Sequence, residues 1–340
     1  MSVLPPMPTS TITTRQRATQ RGLDFIYSFA CERENFIEHG SGLLCCFQLI
    51  AATSRDPSLK QRALRFGLER ARQWRSDWSP LPKKTSAGTV LDLMQGGDAA
   101  DRLGLPDEQV KAQLATAASR FSVDQYLGFD PANEPPPSDL PEQCECGADN
   151  QRGRKSCCHC RRPLGILTRY KVWYDALTLV HASECYGINL GACSADLLKW
   201  LPALRPYRGR ESDANGEFYD CVYAVTHLVY ALNHYNAFRL APRSLPHEYA
   251  FLKTNLLEAI EMNDGEMLGE FVDSLKAFGL KDTNPLIKAG MEYLLRNQNA
   301  DGSWGETNAD PYTRYHSTWT AIDGLRDLDW QPRRKFLRDN

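Results

Sequence analysis

Neither sign of charge dominates this chain of 340 residues: 40 Lys and Arg stand against 42 Asp and Glu, giving a formal net charge of −2 and a pI near 6.4. Polyelectrolyte partners are recruited by an excess of opposite charge, so bulk nucleic-acid or anionic-membrane binding is not expected. The short basic runs Arg152–Lys155 and Arg333–Lys335 read as solvated surface. No stretch approaches the roughly 18 consecutive apolar residues of a membrane span. The opening MSVLPPMPTSTITTRQR lacks an apolar signal core, which points to a cytoplasmic protein with a flexible lead. No Walker or Rossmann glycine pattern occurs, and no Ser or Cys sits in a nucleophile elbow. Period-two alternation is scarce, which argues against a β-rich fold.

Cysteine is what the chain has in quantity. Of eleven cysteines, five fall within seventeen residues, in CECGADNQRGRKSCCHCRRPL from Cys144 to Leu164. A C-x-C pair, ten intervening residues and a C-C-x-C group present two close thiolate pairs, the arrangement that tetrahedral zinc takes. In a reducing compartment such a cluster holds metal rather than disulfides. Cys144, Cys146, Cys157 and Cys160 are the expected ligands of a structural Zn2+, with Cys158 or His159 able to replace one. An iron–sulfur cluster fits the short polar loop less well. The knuckle follows the stiff stretch DPANEPPPSDLPE, so residues 121–166 read as an insertion clipped by zinc. Its Arg152, Arg154, Lys155, Arg161 and Arg162 give it a local basic face where a protein partner or RNA could bind.

The rest of the chain is helical by periodicity, and 42% apolar residues suffice for a sizeable core. Helices are expected over Arg17–Arg33, Leu43–Thr53 after a break at His39–Gly42, Leu59–Arg75, Thr89–Gln95 and Asp107–Arg120. They continue over Leu167–Glu184, Ser194–Trp200, Phe218–Tyr235, Glu248–Met262, Glu266–Phe278, Asn284–Asn297 and His316–Leu328. They alternate between apolar on all sides and apolar on one face, which makes six buried–amphipathic pairs. The buried members start near residues 41, 88, 220, 268 and 316, a step of about 48, and such a period marks an array of helix pairs. Very apolar inner helices that begin with polar residues favour a closed ring with helix N-termini around a cavity.

The segment QNADGSW, Gln298–Trp304, resembles the QxxDGSW-type turn of the terpenoid cyclase and protein prenyltransferase superfamily. The resemblance implies an all-α (α/α)6 toroid of six inner and six outer helices, with glutamine and tryptophan bracing the outer wall. Its two parts would span 17–120 and 167–330, between a lead at 1–16 and a tail at 331–340. Prenyltransferase β subunits bind zinc through an Asp and a Cys near the start of one inner helix and a His at the start of a later one. By that resemblance Asp220 and Cys221, in EFYDCVYAV, and His316, in YTRYHSTWTAIDGL, would hold an active-site Zn2+ or Fe2+. The family separates its Asp and Cys by one residue, whereas here they are adjacent and diverge by about 100° on a helix. The DxDD acid of the cyclases is absent.

Read from the residues themselves, Asp220, His227 and His234 recur every seven positions, which returns to nearly one helix face. His181 and Glu184 form a similar pair one helix earlier. A carboxylate with imidazoles suits a first-row divalent metal, although a lone core histidine is more often satisfied by a hydrogen bond. Asp220, His316, His227, His181 and Glu184 are therefore the candidate catalytic residues, while Glu266 and Glu270 read as rim or solvent positions. The expected function is a metal-dependent enzyme acting on an apolar or aromatic small molecule, by zinc-assisted transfer or iron-dependent oxidation. The alternative is a non-catalytic ring that contacts protein or RNA through its knuckle. A carbohydrate-cleaving pair would need two opposed carboxylates, for which Asp220 and Glu270 are the candidates.

Overall fold

Short capping signals set most helix starts. Thr13 and Gln16 form a reciprocal capping box at the first helix, and Asp264, Asn284 and Asp310 each accept a backbone N–H of the helix they precede. The computed structural model, which describes residues 13–82, 84–210 and 217–331, holds fourteen α-helices among the described residues. They are α1 Thr14–Cys31, α2 Arg33–Thr53, α3 Pro57–Trp78, α4 Ala87–Arg102, α5 Glu108–Ala118, α6 Val123–Leu127 and α7 Arg169–Tyr186. Then come α8 Ser194–Leu198, α9 Leu201–Leu204, α10 Phe218–Asn233, α11 Pro246–Glu261, α12 Gly265–Ala277, α13 Pro285–Arg296 and α14 Pro311–Leu325. Most of the lead at 1–16, nearly all of the tail at 331–340, and Arg333–Lys335 lie outside the described residues. The fold is all-α: no β-sheet forms among the described residues, only isolated bridges such as Ser54 with Leu328 and Pro141 with Ile166.

Two local expectations change. The helix α2 runs unbroken through His39–Gly42, so the anticipated break does not form. Its 21 residues are long and apolar enough to cross a bilayer by length and composition. It is nevertheless a core helix, packed by α1, α3, α4 and α14. The last helix starts at Pro311, not at His316, because Asp310 caps it and the proline occupies its first turn. His316 therefore sits in the second turn.

Packing orders the helices. α2 contacts α4, α4 contacts α7, α7 contacts α10, α10 contacts α12, α12 contacts α14, and α14 contacts α2. Along that succession α3 packs on α2, α5 on α4, α8 on α7, α11 on α12, α13 on α12 and α11, and α1 on α14 and α2. The burial patterns follow. On α13 only Ile287, Gly290 and Leu294 are buried, one face at helical spacing, whereas every residue of α12 from Met267 to Ala277 is buried. Gly269 permits the close approach of α12 to α14: a Cβ there would lie 2.6 Å from the Thr320 carbonyl.

The QNADGSW turn joins the first helix to the last two. Gln298 donates to the carbonyls of Ala18 on α1 and of Gly302 within the turn, at 2.9 and 2.8 Å. Arg21 on α1 donates to the carbonyls of Asn299 and Ala300. Trp304 is buried, donates to the Leu294 carbonyl at 2.7 Å and packs where Gly22 leaves room. Gly302 has φ of +96 and abuts the Arg21 carbonyl, so only glycine suits that position.

Candidate functional site

The succession of buried helices surrounds a cavity of about 310 Å3. It is lined from all six: Cys45 on α2, Asp98 on α4, His181 on α7, His227 and Tyr230 on α10, Glu270 on α12, and Tyr312 and His316 on α14. Aromatic rings supply much of the wall. Tyr312 stacks on His316 at 5.1 Å between centroids, and Tyr230 stacks on Tyr235 at 5.8 Å.

His316 is the best-organised group here. Its Nδ1 lies 3.0 Å from Glu266 Oε1, and Glu266 also accepts from Ser317 at 2.8 Å and Tyr223 at 3.2 Å. Burial works against a charged imidazole, but the Glu266 hydrogen bond and charge outweigh it and raise the His316 pKa. Burial likewise opposes the Glu266 carboxylate, whose bonds to His316, Ser317 and Tyr223 hold it below the usual range. With Nδ1 engaged, Nε2 is the nitrogen left for the cavity. Beside it, burial pushes the Glu270 carboxyl up to about 8, and its Oε2 accepts from Thr226 at 2.5 Å. Burial, and then the nearby charge of His316, push His227 down to about 4. Its Nδ1 donates to the Tyr223 carbonyl at 2.9 Å, leaving Nε2 as an acceptor. One wall thus carries an imidazole hydrogen-bonded to a carboxylate, a carboxyl that burial keeps largely protonated and a neutral imidazole.

Comparison with known protein families, curated proteins and solved structures returns no match. The site is therefore read from its own geometry.

Of the anticipated residues, His316, His227 and His181 line the cavity. The Asp220–Cys221–His316 metal trio does not assemble as a metal-binding group among the described residues. Asp220 accepts from the Thr168 hydroxyl at 2.7 Å, at the cap of α7. Cys221 is buried in the core, and His316 is taken by Glu266. Adjacency on one helix turned the first two apart, as the angle between neighbours requires. Glu184 is exposed and caps α8, accepting from the Ser194 N–H and hydroxyl at 2.9 and 2.5 Å. Glu266 and Glu270, expected at a rim or in solvent, are instead turned inward: Glu266 bonds His316, and Glu270 lines the cavity and is only 1% exposed.

The knuckle assembles as expected. Cys144, Cys146, Cys157 and Cys160 converge, with sulfurs 3.4 to 3.5 Å apart along Cys160–Cys144–Cys146–Cys157. Tetrahedral zinc with bonds near 2.3 Å would set them about 3.8 Å apart, so the donor set fits that ion. Backbone N–H groups of Cys160 and His159 hold the Cys157 thiol well below its usual pKa, which favours the ligating thiolate. The knuckle closes a narrow hairpin: Glu142 donates to the Gly165 carbonyl and Leu167 to the Leu140 carbonyl, both at 2.9 Å. Leu140 and Leu167 line an outer cleft of about 520 Å3, together with His227 and Tyr312. Those last two also line the inner cavity, so cleft and cavity meet there.

Proposed function

We propose that the chain is an enzyme built as a ring of six inner and six outer helices, which moves protons on a small, partly apolar or aromatic molecule held in the central cavity. The observation that carries this reading is the Glu266–His316 pair beside the buried Glu270 carboxyl, facing a tyrosine-lined cavity. The six-membered succession of buried helices supports the ring, and the Gln298–Trp304 turn bracing its wall supports the resemblance noted above. Residues 121–166 act in this reading as an insertion that shapes the mouth. The free state of all eleven cysteines is in keeping with a reducing, cytoplasmic setting.

His316, charged and oriented by Glu266, donates from Nε2 to a leaving or developing anionic atom. The proton that His227 takes from the substrate or attacking group balances the one His316 gives, and exchange with solvent restores both groups. Glu270 is a second donor because burial keeps it neutral, and His227 accepts through its free nitrogen. Positioned acids and bases of this type contribute about 100- to 10,000-fold to a rate. A zinc-assisted transfer is compatible, since zinc would supply an activated nucleophile while His316 serves the leaving group as a donor acid. Iron-dependent oxidation has less support, because the anticipated imidazole and carboxylates are committed to hydrogen bonds. The Asp220–Glu270 carbohydrate pair has less support too, since Asp220 is held by Thr168 outside the cavity lining.

The binding-module alternative also loses ground at the knuckle. Arg152 is paired with Glu134 and Asp139 at 2.9 and 3.0 Å, and Arg162 with Glu145, which depletes the basic face. The test is to incubate the purified chain with aromatic and isoprenoid small-molecule fractions and follow them by mass spectrometry, beside His316→Asn and Glu270→Gln. The expected result is a species consumed at least ~100-fold faster by the wild type than by His316→Asn. Consumption that both variants retain in full overturns the assignment of these residues. No consumption by any form returns the chain to the binding-module reading.

A further inference from the structure

Away from His316, toward the C-terminal ends of α7 and α10, two histidines and a cysteine converge on the same cavity. His181 and Cys185 are four residues apart on α7 and so share a face. Cys185 Sγ lies 3.5 Å from His181 Nε2. His234 arrives from the C-terminal cap of α10, with its ring centroid 5.0 Å from that of His181. One donor atom from each residue lies within 4.8 Å of the other two. Tetrahedral zinc places imidazole nitrogen and thiolate sulfur about 3.6 Å apart, so the His181–Cys185 edge is already at ligand spacing and His234 closes the triangle with about 1 Å of adjustment.

The backbone supplies an independent observation. His234, Tyr235 and Asn236 take positive φ of 51, 49 and 69 in succession. This left-handed region costs a non-glycine residue roughly 1 kcal/mol or more, and asparagine least. A buried network holds the turn. Asn233 accepts the Asn236 N–H at 2.9 Å and donates to its side-chain oxygen at 3.2 Å, while Asn236 donates to Asp273 at 2.6 Å. The helix is thus stopped so that His234 stands against His181, about 10 Å along α10 from His227.

We propose that His181, Cys185 and His234 bind one zinc ion whose fourth coordination position opens to the cavity. Two imidazoles and a thiolate form a borderline-soft set, which suits zinc better than the carboxylate-rich surroundings that iron takes in oxygenases. Among the described residues no fourth His, Cys or carboxylate joins the group. Glu184 is turned away onto Ser194, and Asp98, on the adjoining helix α4, is held by Arg102 at 2.8 Å. Three protein ligands and one open position are the pattern of zinc sites that bind water or an anionic ligand atom, in contrast to the closed Cys144–Cys160 knuckle. None of these ligands belongs to the Glu266–His316–Glu270 set, so the metal site and the proton-transfer reading stand or fall separately.

The test uses the full chain loaded with zinc, or with cobalt as a spectroscopic substitute, and counts metal per chain by elemental analysis. The wild type is expected to carry two equivalents, and Cys185→Ser one. A Cys157→Ser/Cys160→Ser variant should keep the other equivalent, and its cobalt form should show thiolate charge transfer and visible bands that shift on adding azide. His234→Ala, at an exposed position, carries the same expected loss should Cys185→Ser fail to fold. One equivalent in the wild type overturns the proposal. So does a second equivalent that survives both Cys185→Ser and His234→Ala, or a cavity cobalt spectrum that azide leaves unchanged.

Discussion

Glu270 is a carboxylic acid placed where water is excluded, and burial raises it to about 8, helped by the charges of Glu266 and Asp273 against those of His316 and the Thr226 hydrogen bond. In the unfolded chain the same group titrates near 4.3. Between about pH 4 and about pH 8 the folded state therefore holds a proton that the unfolded state has lost. Stability from this group is complete at the acid end of that window and declines as pH rises through it, by at most about 1.4 kcal/mol per pH unit. Glu270→Gln should flatten the decline, so denaturant midpoints of variant and wild type should diverge in the variant's favour from about pH 5 to about pH 8. Parallel midpoints across that range would mean that Glu270 is ionised in the folded protein. The sequence pointed to His316 but placed Glu266 and Glu270 at a rim or in solvent, with Glu270 entering only as half of a carbohydrate-cleaving pair with Asp220. What reverses the reading is the position of α12 between α10 and α14, where every face is covered and the polar stripe turns to the cavity and to buried partners.

At the scale of elements, the knuckle and its hairpin form one lever. Leu140 and Leu167 reach the outer cleft from the two extended segments that flank the cysteines, and Lys199 and Trp200 fix the stretch before it by donating to the carbonyls of Ala132 and Pro131 at 2.6 and 2.8 Å. Closed thiolate sites contribute folding energy to the segment that carries them. Cys157→Ser/Cys160→Ser should therefore expose residues 143–165 to limited proteolysis while far-UV circular dichroism stays close to that of the wild type. A global loss of helix would show that the knuckle supports the whole fold. Most helices were readable from apolar spacing but not their ends: the Asp310–Pro311 cap starts α14 five residues before His316, where the helix was expected to begin. The glycines of HGSG misled in the opposite direction. Inside a packed helix they are tolerated, since Gly40 and Ser41 lie against the Trp74 ring.

At the scale of the molecule, the two ends of the described chain are fastened to one another. Trp304 and Gln298 dock α1 on α13 and α14. Arg15 pairs with Asp282 and Asp327 at 2.5 and 2.6 Å. Asp329 donates to the Thr53 carbonyl at 2.8 Å beside the Ser54–Leu328 bridge. Trp304→Ala removes a fully buried ring and its hydrogen bond, and should cost about 3–5 kcal/mol. In urea the midpoint should fall with the slope unchanged if the fastened helices unfold as one unit. A second, earlier transition would instead mean that α1 detaches by itself.

The order of buried and one-sided helices, the four-cysteine site and the bracing turn were all present in local sequence, because periodicity and short motifs report what lies within one or two turns. Which polar groups would meet was decided only by the tertiary structure. Asp220, Cys221 and His316 looked like partners and were separated. His181, Cys185 and His234, fifty-three positions apart from His181 to His234 in the numbering, were brought together. The reason is physical: the rotation and register of one packed helix against its neighbour are set by side-chain interlocking across the interface, and no repeat within a single helix encodes them.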